Sequence, residues 1–469
     1  MPTLLLGARA QRLHLIPVLV RGGDAQNDFS REVFKYPDPR TGPYQATLSD
    51  FQGVPHPISE RELTSKLTSI SEVEMSVLTL LSSAPRPERG DCVLAIGSGL
   101  IENNLVANSE IELDYKHVVT RVRYHGGSGV NYAIRLSRMG CPVLPIISIG
   151  KDPNGREIQE ALAKEVPSGH DHVRAFIEHP SFLCPGIKTS ETYIAIHGNQ
   201  RTTFTEVVQG VERFPEHCYE RLADATGPDG RIGAVMLGHL YADDPSLGRP
   251  RSLTADIAAE FNGRALVFAN FGVSQIRRGS KYWRDHLQNI SVLQLTLQEA
   301  VHFFSDDDRV TSLEDMIRWF RSIDATVIIT YDSFGAVAVL RGEDDPFDAH
   351  RFMIAKVVDK TGAGDAFGSG IVHSLLRDSF LDRHSFTRAL ERARVWGAYA
   401  CGSIGGSHGS PNQNELTEFE KGRGAIPPGR TNRAEPVYQG SLQDRHFLDR
   451  LRLLEEREHV RHKTSGNRI

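Results

Sequence analysis

From Asp91 onward the chain repeats one alternation, a short apolar run ending in small residues and then a stretch with helical spacing. The runs are CVLAIGSGL, PVLPIISIG, YIAIHG, IGAVMLGHL, ALVFANFG, ATVIITYD and GAVAVLRG, and between them lie GVNYAIRLSRMG, DIAAEFNGR and LEDMIRWFRSI. Short runs rich in β-branched residues and bounded by glycine read as buried strands. Strands that alternate with helices pair in parallel, because each helix carries the chain back across a face of the sheet. The pattern therefore predicts an α/β domain with a largely parallel sheet covered on both sides.

The flanks follow other rules. Residues 1–88 mix turn-rich stretches (YPDPRTGPY, FQGVPHPISE) with one helical pattern, LTSKLTSISEVEMSVLTLLSS, and are expected to be an extension with a docking helix. Residues 89–412 form the expected α/β domain. Residues 413–469 pass through a polar, Gly/Pro-rich stretch into LQDRHFLDRLRLLEEREHVRH, where Phe447, Leu448, Leu451 and Leu454 fall on one helical stripe. Two apolar stripes outside the domain suit either docking on the chain's own core or a homodimer.

Charge and cysteine usage narrow the function. Lys and Arg total 54 against 59 Asp and Glu, a net charge of -5, so no global positive field draws the chain to nucleic acid. The 5 cysteines (Cys92, Cys141, Cys184, Cys218, Cys401) are scattered, odd in number and form no CxxC pair, which fits a reducing cytoplasm rather than a disulfide framework or thiolate zinc site. No apolar run approaches the roughly 20 residues of a membrane helix, so no membrane partner is expected. Arg9, Arg12 and Arg21 precede the first acid, Asp24, which weakly resembles an organelle transit peptide; the alternative is a basic, unstructured terminus. The 19 histidines show no HxxxH or HExxH spacing, GxxxxGK[ST] is absent, and the GGSHG at 405–409 lacks the preceding strand that a GxSxG nucleophile elbow needs, so acyl transfer and P-loop chemistry drop out.

The strongest chemical signal is VVDKTGAGDAFGSGIVHSLL, residues 357–376. The strand FMIAKVV leads to Asp359, then to Thr361, Gly362, Ala363, Gly364 and Asp365, and into an apolar helix. Small residues at a helix start let backbone N–H groups converge on an anion, and the helix dipole adds to the attraction. A carboxylate at the edge of such a cradle can take a proton from an attacking hydroxyl while the amides neutralise charge on the transferred group. The bland alternative is an N-cap Asp after a glycine turn. In HGGSGVNYAIRLSRMG, residues 125–140, Gly126, Gly127 and Gly129 permit close approach to a ligand, and Asn131 offers a donor and an acceptor to a hydroxyl.

These two segments resemble the signatures of the ribokinase/PfkB family of carbohydrate kinases. The resemblance implies a ribokinase-like three-layer α/β/α sandwich with a small β lid, here from segments near 102–125 and 186–206. It implies an ATP-dependent transfer of the γ-phosphoryl group to a hydroxyl of a sugar or sugar-like substrate, with Mg2+ and a monovalent cation such as K+. Asp365 becomes the catalytic base, and Gly362, Ala363 and Gly364 the anion hole. Asp359 and Thr361 match positions beside the monovalent cation, with Thr361 also on the nucleotide side. Glu102 stands where the family places an Asp on the substrate hydroxyls, followed by Asn103 and Asn104, and Gly126, Gly127 and Asn131 complete the substrate side. Arg201 follows the turn of the lid hairpin and faces a substrate, a phosphate or solvent.

The nucleotide side departs from the pattern. In SVLQLTLQEAVHFF Thr296 replaces the family's Asn, while Glu299 keeps the acid associated with magnesium. In TVIITYDSFGAVAV Thr330 and Gly335 are kept, but Asp332 replaces a glycine and would repel a triphosphate without a compensating cation. Arg394 and Trp396 stand at places usually smaller, predicting a differently shaped base pocket. Two alternatives stay open: a nucleoside kinase of the same fold, using Tyr124, Tyr132 or Tyr193 against a base, and a catalytically weak regulatory protein.

Overall fold

The computed structural model describes residues 15–17, 33–35 and 90–422, with breaks at 112–115, 198–199, 207, 227–231, 332–334, 344, 351–356, 377, 379–380 and 404. The docking helix expected before Pro85, the charged helix beyond 440, most of the FMIAKVV strand and Asp332 lie outside the described residues. The chain divides into two units, Met1–Ala84 and Pro85–Ile469. In the first, β1 (Leu15–Pro17) pairs antiparallel with β2 (Val33–Lys35).

The second unit holds two sheets. In chain order its strands are β3 (Cys92–Ser98), β4 (Leu100–Ala107), β5 (Val119–Gly126), β6 (Val143–Ser148), β7 (Ser190–His197), β8 (Gln200–Thr205), β9 (Ile232–Leu237), β10 (Leu266–Asn270), β11 (Val292–Thr296), β12 (Val327–Thr330), β13 (Gly335–Val339) and β14 (Phe347–His350). The main sheet has the order β14-β13-β12-β11-β10-β9-β3-β6. Strands β6, β3, β9, β10, β11 and β12 run parallel, and β13 and β14 add an antiparallel edge. Every residue of β3, β6, β9 and β10 is buried, which a sheet achieves only when helices cover both faces. This is the expected α/β sandwich.

The lid is the four-stranded sheet β5-β4-β7-β8. Only Gly99 separates β3 from β4, so the chain leaves the main sheet straight into the lid and carries Glu102 over the ends of the parallel strands. At the other end of the unit, the helix Gln413–Gly422 packs against the helix Arg383–Ala400. Leu416 is fully buried there, and the rings of Tyr399 and Phe419 lie 5.0 Å apart. Among the described residues no helix is long and apolar enough to cross a membrane.

Candidate active site

The site forms where two helix N-termini meet at the carboxyl ends of the parallel strands. The helix Ser128–Arg138 follows β5, and its N-cap is Gly127 at φ +91°, a left-handed conformation that L side chains rarely adopt. The Ser128 hydroxyl accepts from the His239 amide at 2.8 Å, tying this start to the end of β9. The helix Ala363–Leu376 begins after Gly362 at φ +72°, and a Cβ on Gly362 would stand 2.3 Å from the Gly406 carbonyl oxygen. The first intrahelical bond runs from Ala366 N to Gly362 O. Helical geometry therefore leaves the Gly364 and Asp365 amides ahead of the ladder as donors for an anion, whereas Ala363 N donates to Lys360 O at 3.2 Å.

Asp365 lies half-buried on the first turn, and Asn131 Nδ2 donates to its Oδ2 at 2.7 Å. Gln294, on β11, steadies the same turn by donating Nε2 to the Gly364 carbonyl at 3.0 Å. One turn beyond Asn131, Arg135 is 1% exposed and donates through Nη2 to the carbonyls of Gly362 and Gly406. Burial pulls its guanidinium down to about 10, opposed by the negative charge of Asp365, so it stays cationic at neutral pH. Burial, with the charge of Asp365 second, pushes the Tyr132 phenol well above its ordinary value and keeps it protonated beside the carboxylate.

The loop carrying Gly405 and Gly406 closes the back of the site. Glu102 Oε2 accepts from Gly406 N at 3.1 Å, and Asp359 Oδ2 accepts from Gly405 N at 3.0 Å. Asp359 Oδ1 accepts from Thr361 N and Oγ1 at 3.0 and 2.8 Å, so both carboxylate oxygens and the Thr361 hydroxyl shape the loop before the anion hole. Gly126, the last residue of β5, sits against Glu102, whose Oε1 is 2.1 Å from where a Cβ would stand.

Where the nucleotide side was expected, Thr296 and Thr330 are register partners at the ends of β11 and β12, and Gly335, at φ +114°, opens β13 beside them. Thr296 caps the helix Leu297–Phe303 in a capping box: Glu299 Oε2 accepts from Thr296 N at 2.7 Å, and Thr296 Oγ1 accepts from Glu299 N at 3.2 Å. One Glu299 oxygen is thus already engaged. Trp396 is fully buried with its ring against His373 at 5.9 Å, and Arg394 pairs with Glu391. Arg201 occupies the β8 position opposite Ile196 of β7.

Asp365, Asn131, Glu102, Gly362, Ala363, Gly364, Asp359 and Thr361 are thus brought into one network. Sequence reasoning missed Arg135, Gln294 and the Gly405–Gly406 turn. The i, i+4 spacing of Asn131 and Arg135 on one helix was the available signal for the arginine.

A family model described as pfkB family carbohydrate kinase matches residues 267–413. A fructokinase from Klebsiella pneumoniae is 25% identical over 302 residues, covering 62% of this chain and 90% of that protein. An uncharacterized sugar kinase from Dictyostelium discoideum is 42% identical over 66 residues, and there the chain spans under a fifth of the relative, 18%, with 14% of its own length. Among solved structures, a ribokinase from Giardia lamblia superposes with a TM-score of 0.56 at 16% identity, covering 70% of this chain and 99% of that one. A Burkholderia thailandensis nucleoside kinase in complex with inosine gives a TM-score of 0.51 at 16% identity, covering 71% and 98%. The two signature segments, the lid and these matches place a PfkB family carbohydrate kinase domain in this chain, on the ribokinase-like fold.

Proposed function

We propose that the chain transfers the γ-phosphoryl group of ATP to a hydroxyl of a sugar or sugar-like acceptor, with Asp365 as the base. The observation that carries this reading is the Asn131–Asp365 bond at the mouth of the TGAG helix start, which sets a fixed carboxylate beside free helix amides. In the step, the Asp365 carboxylate takes the acceptor's hydroxyl proton as the acceptor oxygen bonds to the γ-phosphorus. The bond from that phosphorus to the bridging oxygen breaks, and ADP leaves. The amides of Gly364 and Asp365 offset the charge on the moving group, and the Arg135 cation lies behind them. Glu102 and Asn131 hold acceptor hydroxyls.

Among the described residues no three His, Cys, Asp or Glu side chains cluster for a metal. Glu299, one oxygen of which accepts from Thr296 N, would offer its other oxygen to Mg2+ held by the nucleotide phosphates and water. When bound, Mg2+ supplies charge neutralisation on the phosphates. A potassium ion at Asp359 would have to share oxygens that already accept bonds from Thr361 and Gly405, and no step here depends on it.

Sugars are favoured over nucleosides by where the tyrosines stand. Tyr132 is fully buried against Phe268, Tyr193 is on the lid face away from Glu102, and the Tyr124 ring already lies 4.9 Å from His408. The reading includes small-molecule partners, a cytoplasmic setting and a homodimer, the last checked by light scattering. Its test is release of ADP from ATP and magnesium against a panel of sugars and nucleosides. Acceptor-dependent release supports it; absence of nucleotide binding at millimolar ATP favours a regulatory protein instead.

A further inference from the structure

Asn104 is fully buried on β4, and both its amide atoms, Oδ1 and Nδ2, are sealed from water with no hydrogen-bond partner. Its register neighbours on the two flanking strands are Val122 of β5 and Ile194 of β7, which offer an amide nothing. The adjacent residue behaves in the opposite way. Asn103, pointing to the other face, accepts from Arg121 Nε at 3.0 Å and donates to Glu191 Oε2 at 3.1 Å. Buried polar groups in folded proteins are overwhelmingly paired, and an unpaired one is costly enough to need a reason.

The face supplies the reason. Side chains alternate along a strand, so Asn104 shares the face of Glu102, whose carboxylate reaches Gly406 beside Asn131 and Asp365. Two residues along β4 place Asn104 about 7 Å beyond Glu102, away from the main sheet. A carboxamide presents a donor and an acceptor together, the complement of neighbouring hydroxyls.

We propose that Asn104 is a specificity-determining residue of the acceptor pocket, reading hydroxyls at the end of the acceptor away from the one that is phosphorylated. The assignment rests on the kinase reading above. It gives the pocket a chemical criterion: a polyhydroxylated acceptor satisfies the amide, and a deoxygenated one leaves it stranded.

The experiment uses the full chain with ATP and magnesium. D-ribose, D-fructose and uridine are each compared with their single-deoxy analogues, in the wild type and in N104L and N104S. The wild type is expected to prefer the full acceptor over the analogue lacking the hydroxyl read by Asn104 by on the order of 10²-fold in kcat/KM. Asn104→Leu, near in size and apolar, is expected to abolish that preference without lowering the unfolding midpoint, and Asn104→Ser to recover part of it. Equal losses on full and deoxy acceptors in N104L, or an unchanged preference, overturn the assignment of Asn104 alone. Absence of turnover by the wild type with every acceptor removes the kinase reading, and this proposal with it.

Discussion

Asn131 Nδ2 donates to Asp365 Oδ2 over 2.7 Å, a bond between residues 234 positions apart that joins the starts of two helices. It fixes one carboxylate oxygen and the orientation of the group. Asp365→Asn keeps the shape and removes the proton acceptor, so turnover should fall by about two to four orders of magnitude. ADP release checks the rate and thermal unfolding checks the fold; near-normal turnover would take the role of base away from Asp365.

Arg135 holds the carbonyls of Gly362 and Gly406 from beneath. Arg135→Met keeps much of the stem but releases both, letting the anion-hole turn drift. Misplacement on the scale of an ångström costs about 10²-fold in rate, so kcat should drop by roughly that much while the acceptor KM moves little. Arg135→Lys keeps the charge on a single-point donor and should recover only part of the loss. Equal shifts in kcat and KM in both variants would mean general damage instead.

Gly126→Ala tests Glu102 without touching it. The new methyl would stand 2.1 Å from Glu102 Oε1 and 2.4 Å from Cδ, contacts that a side chain relieves by swinging aside. The fold should survive, and the acceptor KM should rise by about tenfold at saturating ATP. Steady-state kinetics that leave this KM unchanged would remove Glu102 from the acceptor site.

His217 is 6% exposed, and its burial, aided by the Arg221 charge, lowers its pKa below the ordinary value. Below about pH 6.5 the unfolded chain takes up a proton that the folded chain refuses, so stability falls as pH drops from neutral toward the lowered value. Thermal unfolding at pH 7.5 and 5.5 should show a steeper loss in the wild type than in His217→Gln. Parallel slopes would assign the acid sensitivity elsewhere.

Much of this was legible because it is local. The alternation from Asp91 fixes a parallel sheet through strand length and burial, and TGAGD announces a helix start through its own glycines. Thr296 and Glu299 carry a capping box that spacing alone predicts, yet the structure shows that this cap already engages one oxygen of the acid expected at magnesium. Arg135 was hidden because a cation on an apolar helix reads as an exposed edge of the stripe, and only carbonyls from residues 362 and 406 make its burial tolerable. The Gly405–Gly406 turn was hidden because its part is played by backbone amides, which meet Glu102 and Asp359 across long stretches of chain. Trp396, expected to give a differently shaped base pocket, is fully buried and packs on His373.

The bond from Gly406 N to Glu102 spans 304 positions of the chain. During synthesis at about 5–20 residues per second, the lid strand and the Asn131 helix emerge well before their partners exist. The parallel strands can begin to pair, but the back wall of the cleft arrives last. A nascent chain that stops short of residue 406 therefore has most of a sheet and no working cleft, and the glycine turn is the final piece of this site to be translated.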